Sequence, residues 1–150
     1  MTIDAPRPDL PPIRTQADLT EVWTILMGEL GFAYRQLWVL FVLANGDAHP
    51  AVMKIEHLDE WPDEQFTSGL VDVCANFVDE DSGNGQVAML LARPGGGALS
   101  ASDRAWTSAL YRATRLGSVA SHPIHLANDV ELRLVAADDL DDLDGLDLAG

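Results

Sequence analysis

The stretch of this sequence with the clearest chemical potential is a glycine-rich segment that contains an arginine. It reads LLARPGGGALSASD from Leu90 to Asp103, so an apolar strand runs into a Pro-Gly turn and a Ser-x-x-Asp then begins a helix. Glycines let backbone N–H groups approach a ligand, and a helix start adds partial positive charge. With a guanidinium and serine hydroxyls nearby, the pattern predicts a site for a small anion or a nucleotide. The candidate contacts are Arg93, Gly95, Gly96, Gly97, Ser100 and Asp103.

The same segment also has a purely structural interpretation. A flexible turn would leave Arg93 paired with an acidic side chain such as Asp103, with no ligand involved. The chain contains no Gly-x-x-x-x-Gly-Lys-Ser/Thr, and consecutive glycines are not a dinucleotide fingerprint. Both interpretations stay open at the level of sequence.

Histidine and cysteine residues give weaker candidate sites. His122 and His125 flank Pro123 and Ile124, which favour an extended segment whose alternate side chains point to opposite faces. We therefore expect no shared metal, with His122 exposed and His125 partly buried and hydrogen-bonded. Cys74 lies on the apolar face of a predicted helix, and nothing basic lies within four positions of it. We expect a buried, unreactive thiol there.

One tryptophan is a candidate for contact with another protein. Trp61 precedes Pro62 in an acidic loop between a predicted strand and a predicted helix. Exposed tryptophan is enriched at protein interfaces, whereas local packing would place the ring under the loop. Both alternatives remain open.

The overall charge and composition exclude several functions. The 150 residues hold 9 basic and 24 acidic side chains, so a net charge of -15 repels polyanions. We expect no nucleic-acid or membrane partner. No apolar run approaches about 18 residues, and residues 1–12 lack the apolar core of a secretory signal. With a single cysteine, Cys74, the expectation is a soluble, cytoplasmic domain without a disulfide framework or a cysteine-rich zinc site.

The charge is unevenly distributed along the chain. Residues 136–150 contain six aspartates, no basic residue and the leucines at 140, 143, 146 and 148. The stretch from Arg93 to Arg115 has the opposite balance, because its four arginines accompany one aspartate. The acidic end is predicted to be a disordered tail, with a segment that folds onto a partner as the alternative.

Hydrophobic periodicity predicts one α/β domain. Helices are expected from Thr15 or Asp18 to a stop at Gly31, over about 63–80, and from Ser100 or Ser102 to Leu116. Strands are expected at 37–43, 51–55, 87–92, 124–127 and 130–135, with an Asn45-Gly46 hairpin turn. The order α-β-β-α-β-α-β-β predicts a mixed sheet with helices on both faces. The expected organisation is an extended arm at 1–14, a single domain at 15–135 and the tail at 136–150.

The glycine segment resembles the JAB/MPN metalloprotease-like superfamily, in particular its RadC-like bacterial branch. In that family a strand ends in His-x-His-Pro-Ser-Gly, and Ser-x-x-Asp follows at the next helix start. The two histidines and the aspartate bind zinc, and an upstream glutamate activates the metal-bound water. Pro94, Gly96, Ser100 and Asp103 match this pattern. The resemblance covers about 37–127 and implies a deaminase-like sandwich.

The departures from the family pattern affect the catalytic centre itself. Leu91 and Arg93 stand at the positions of the two histidines, and Glu56 lies in the region of the family's glutamate. Leucine offers no lone pair and arginine keeps its proton, whereas zinc needs at least three N, S or O ligands. The resemblance therefore implies a relative without a metal, a cofactor or catalytic residues.

Three functional hypotheses follow. The first is a non-catalytic protein-interaction or scaffold domain that forms a homodimer. The second is a small anion- or nucleotide-binding protein, and possibly an enzyme, that uses the Arg93–Gly97 loop and the following helix start. The third is a hydrolase with a relocated metal on His122, His125 or Asp103.

Overall fold

A mixed β-sheet organises the chain in the computed structural model, which describes residues 2–4, 10–80 and 85–136. Within those ranges the elements are β1 Thr2–Asp4, α1 Gln16–Met27, β2 Gln36–Val42, β3 Ala48–Ile55, α2 Glu64–Glu80, β4 Gln86–Ala92, α3 Ala101–Leu116, β5 Ile124–Ala127 and β6 Leu132–Val135. The strand order is β1-β3-β2-β4-β5-β6. Only the β4–β5 pair is parallel among these strands.

The sheet carries helices on both faces, as the sequence predicts. Side chains of β2 and β4 alternate between two apolar clusters, because successive residues of a strand point to opposite faces. Leu37 and Leu91 join the cluster that contains Leu110 of α3 and Cys74 of α2. Their apolar neighbours in sequence, Trp38, Leu90 and Ala92, join the cluster of α1, which contains the fully buried Trp23. All seven residues of β2 are buried, which explains its unbroken apolar run.

Local signals fix the start of α1 and the β2–β3 hairpin. Thr15 caps α1 in a reciprocal capping box with Asp18. Strands β2 and β3 pair in antiparallel register around the Asn45-Gly46 turn. Gly46 has a φ of 94° and accepts a hydrogen bond from the N–H of the buried Ile13 at 2.6 Å. The residues before α1 are thereby tied to the hairpin.

Two features differ from the sequence-based expectation. Helix α1 ends at Gly28, which has a φ of 63°, rather than at Gly31. Glycine adopts this left-handed conformation without steric cost, so the first available glycine ends the helix. The N-terminal arm contains strand β1, which pairs with Val52–Lys54 of β3. Residues 1, 5–9 and 81–84, and residues 137–150 of the tail predicted at 136–150, lie outside the described residues. None of the described helices is long and apolar enough to cross a membrane.

Candidate functional site: a buried Arg–Asp–Arg cluster

The candidate site forms where β4 runs through the glycine loop into α3. Ser100 caps α3, and its hydroxyl accepts a hydrogen bond from the N–H of Asp103 at 3.0 Å. The Asp103 carboxylate accepts the N–H of Ser100 in return at 2.9 Å. This reciprocal capping box holds the Asp103 side chain at the first turn of the helix, where a negative charge is favourable. Asp103 is fully buried.

Two arginines reach this carboxylate from neighbouring strands. Gln36 of β2 and Ala92 of β4 are antiparallel partners at the end of their ladder. Arg35 and Arg93 therefore occupy the next opposed positions, just beyond the paired ends. Gln36 and Ala92 belong to the α1 side of the sheet. Because successive residues of a strand point to opposite faces, Arg35 and Arg93 both belong to the α3 side. Two positive charges at opposed positions destabilise the sheet, and a negative group between them would offset this repulsion.

Asp103 supplies that negative charge. Its carboxylate oxygens accept hydrogen bonds from Arg93 Nε at 2.9 and 2.8 Å and from Arg35 Nη1 at 3.0 Å. The Arg93 and Arg35 side chains are only 9% and 13% exposed, so the pair interactions are poorly screened by water. Burial acts to raise the pKa of Asp103, but the Ser100 N–H and the two guanidinium groups outweigh it. The pKa is lowered, and the carboxylate stays ionised.

The remaining donors of Arg93 bind the glycine loop itself. Nη1 donates to the carbonyls of Pro94 at 3.0 Å and Gly96 at 3.4 Å, and Nη2 donates to that of Ala98 at 3.3 Å. Three loop carbonyls thus surround the outer end of the guanidinium. Carbonyl oxygens carry partial negative charge, so this environment suits the arginine and opposes an anion.

An exposed carboxylate of the protein also occupies the loop. Asp129, in the β5–β6 turn, accepts the N–H of Gly95 at 2.7 Å and that of Phe32 at 2.9 Å. These two N–H groups lower the pKa of Asp129, and Arg93 contributes in the same direction. The loop does bind a negative group, but that group belongs to the chain. With Asp103 and Asp129, the two arginines are balanced by two carboxylates.

The geometry contains the ion pair of the structural interpretation. Arg93 meets Asp103, as the alternative to the anion site requires, and its donors are used within the protein. Gly95 and Gly97 have φ values of 88° and 84°, which explains the glycines by backbone conformation. Gly96 lies against Val130, whose Cγ2 would be 3.0 Å from an added Cβ. The three glycines, Arg93, Ser100 and Asp103 thus each have a structural role in the loop or the helix cap, and the anion site stays a prediction.

The donor set at this place does not fit the zinc ion that the family resemblance would imply. Leu91 is fully buried in the apolar cluster, and Arg93 is a cation, which leaves Asp103 as the single ligand among the three positions. Glu56 directs its carboxylate to the hydroxyl of Tyr34, which lowers the pKa of Glu56. Across the described residues, no group of three or more His, Cys, Asp or Glu side chains could hold a metal.

The two histidines lie apart from this cluster. His125 is fully buried and shares a 2.8 Å hydrogen bond between its Nε2 and the Thr20 hydroxyl of α1, on the opposite face of the sheet from α3. Burial lowers the pKa of His125 to about 4. His122 is half-buried, less exposed than expected, and burial lowers its pKa as well. Cys74 is buried as predicted, and its burial raises the pKa of the thiol to about 12.

Trp61 lies at the surface beside the same helix. Its side chain is 53% exposed, whereas the backbone on its N-terminal side is fixed to α3. The indole Nε1 of Trp106 donates to the carbonyls of Asp59 at 3.0 Å and Glu60 at 3.1 Å. The hydroxyl of Ser102 donates to the Glu60 carbonyl. An anchored loop thus presents an exposed indole rather than one packed under the loop, and a role of Trp61 at an interface stays a prediction.

Sequence reasoning missed Arg35, a member of the cluster, and Asp129, which binds the glycine loop. Arg35 precedes a predicted strand, and only the β2–β4 register places it opposite Arg93. Asp129 lies in a turn between two predicted strands, where an aspartate is common for local reasons. Neither residue carries a local signal that would have linked it to the glycine loop.

The comparisons with known proteins add no identification. No family model matches the chain, and no curated protein matches it.

Proposed function

We propose that this chain is a non-catalytic protein-interaction or scaffold domain, a metal-free relative of the JAB/MPN metalloproteases in which arginine replaces the metal. The observation that carries the proposal is the contact between Arg93 and Asp103. In the family, the residues at the positions of Leu91, Arg93 and Asp103 bind one ion together. A direct Arg93–Asp103 contact on the α3 side of the sheet is what the proposed alignment requires.

The charges support the same proposal. A family member would use a divalent cation to offset the aspartate, and here two guanidinium groups offset it at hydrogen-bond distance. Removal of the metal would leave a buried carboxylate without compensation, which is costly. Arginine at position 93 is thus a physically sufficient substitute for the structural part of the metal's role. It provides no Lewis acid and no activated water.

The element order supports the fold relationship. From β2 onward the chain forms a hairpin, helix α2, strand β4, the glycine loop, helix α3 and strand β5, the order that the resemblance implies. The role in protein interaction is supported by the anchored and exposed Trp61. A second copy of the chain is the partner proposed for this surface.

Restoration of the histidines tests the proposed alignment. In the double variant Leu91→His/Arg93→His, two imidazoles join Asp103, and we expect binding of one zinc ion per chain with an increase in thermal stability. The wild-type protein, purified without a histidine tag, is expected to contain no stoichiometric zinc. The matched control Met89→His/Leu91→His places two histidines at the same spacing on the same face of β4. The pair is moved two residues along the strand, away from Asp103. Equal zinc binding by both variants, or by neither, would contradict the alignment.

Self-association is tested by sedimentation across a range of protein concentrations. We expect a monomer–dimer equilibrium that Trp61→Ser weakens. Val130→Ser is the control, because Val130 is 72% exposed on the β5–β6 turn. A monomer at all concentrations, or an equal effect of the two substitutions, would contradict the dimer.

A further inference from the structure

The surface formed by α2 and α3 contains a groove that the proposed site does not use. Its volume is about 500 Å³, and it is open to solvent between the two helices. Small or apolar side chains form much of its walls: Ser68 and Val71 from α2, and Ala105, Ala109, Ala113 and Leu116 from α3. Leu116 is 75% exposed at one end. A groove of this composition accepts an extended or helical segment with apolar side chains.

The exposed face of α3 beside the groove is basic, in contrast to the chain as a whole. Arg104, Arg112 and Arg115 are exposed, and at about 100° per residue they fall within about 80° of one another. This arginine stripe lies opposite the buried Trp106 and Leu110, and Arg112 also lines the groove. The α2 wall carries Glu64 and Asp72. An acidic occupant would therefore be attracted to the α3 wall and repelled from the α2 wall.

The end of the described chain lies next to this stripe. The hydroxyl of Tyr111 donates to the carbonyl of Val135, the last residue of β6, at 2.6 Å. Tyr111 is adjacent to Arg112 in α3. The chain therefore leaves β6 beside the middle of α3, and residues 137–150 continue from there with six aspartates and four leucines. Fourteen residues reach at most about 46 Å, whereas a helix of 16 residues is about 24 Å long.

We propose that residues 137–150 dock in cis on α3, with their aspartates against the arginine stripe and their leucines in the α2–α3 groove. The short connection gives the segment an effective concentration on the order of millimolar, so modest contacts suffice. The arginine stripe attracts the aspartates to α3, and the apolar groove accommodates the leucines that lie between the aspartates. The occupant is a segment of this same chain, and the inference does not depend on the proposed relationship to metalloproteases.

Paramagnetic labelling of the full-length chain tests this proposal. A nitroxide is attached to Gly145→Cys, since the buried Cys74, with its raised pKa, does not compete for the reagent. We expect loss of amide signal intensity along the groove, at Val71 and Ala109 among others. Val22 of α1, on the other face of the sheet, keeps its intensity.

Charge variants and mixing complete the test. Arg104→Gln/Arg112→Gln/Arg115→Gln is expected to restore the groove signals, as is high salt in the wild-type background, whereas the control Arg14→Gln leaves them attenuated. A mixture of isotope-labelled chains with nitroxide-labelled chains of natural isotope content reports contacts between copies. Attenuation only in that mixture, no attenuation at the groove, or attenuation that survives both the arginine substitutions and high salt would overturn the proposal.

Discussion

Substitution of Asp103 by asparagine isolates the charge that holds the Arg–Asp–Arg cluster together. Asparagine keeps the size and one oxygen acceptor, but it leaves Arg35 and Arg93 facing each other without a carboxylate. Removal of one partner from a buried ion pair costs about 3–5 kcal/mol. Because Arg35 retains some access to water, we expect the lower part of this range, about 3 kcal/mol. With a urea m-value of about 2 kcal/mol per M, the unfolding midpoint falls by about 1.5 M.

The measurement is urea unfolding followed by circular dichroism, with Asp129→Asn as the control. Asp129 also accepts two hydrogen bonds next to Arg93, but it is exposed, so water replaces much of what its charge supplies. We expect its loss of stability to be much smaller than that of the Asp103 variant. Arg93→Met and the double variant Arg93→Met/Asp103→Asn complete a double-mutant cycle, in which the two losses are expected to be strongly non-additive.

The dependence on pH gives an independent readout. The pKa of Asp103 is lowered in the folded state, so its contribution is complete above the unfolded value of about 3.9 and is lost as pH falls through the folded value. The Asp103→Asn variant should therefore lose less stability than the wild type below about pH 4. A loss of under about 1 kcal/mol at neutral pH, or the same acid profile in both proteins, would refute the electrostatic role of the cluster.

Three further outcomes are expected. Gly97→Ala should destabilise the protein by about 1 kcal/mol, because Gly97 has a φ of 84°. Gly69→Ala in helix α2 should stabilise the protein by roughly 0.5–1 kcal/mol, because alanine favours the helix and its Cβ meets no atom within 4 Å. Thermal unfolding distinguishes the two signs. The Cys74 thiol should resist thiol reagents at pH 8 and react fully in urea, and rapid labelling of the native protein would contradict its burial. Because the pKa of His125 is depressed to about 4, the wild type should lose about 3 kcal/mol as pH falls from about 6.5 to 4. Unfolding curves of His125→Gln should show a flatter dependence, and an unchanged slope would exclude His125 as its source.

Much of the fold follows from short-range patterns. The apolar runs of β2 and β4, the Asn45-Gly46 turn and the periodicity of the three helices predicted a mixed sheet with helices on both faces. The capping box of α3 is also a local feature, because Ser100 and Asp103 are three residues apart. The end of α1 was predicted at Gly31, and this was wrong, because the backbone already leaves the helix at Gly28 with a φ of 63°.

Only part of the chemistry of the candidate site could be predicted from short-range sequence patterns. The glycine loop, Arg93 and Asp103 stand out in the sequence, but their pattern fits both an anion site and an internal ion pair. In the structure, two residues that are distant in the sequence contact the ion pair and the loop. Arg35 is 68 residues from Asp103, and Asp129 is 34 residues from Gly95. The first contact adds a second guanidinium to the Asp103 carboxylate, and the second uses the N–H of Gly95, one of the donors proposed for an anion.

The sequence by itself determined the turns, the caps and the faces of the elements, because these depend on side chains within a few positions of one another. The tertiary structure alone decided that Arg35 and Asp129 join this site. The β2–β4 register places Arg35 opposite Arg93, and the β5–β6 turn brings Asp129 to the glycine loop. Such contacts depend on the pairing of distant strands, so the sequence reveals the presence of the charges but not their partners.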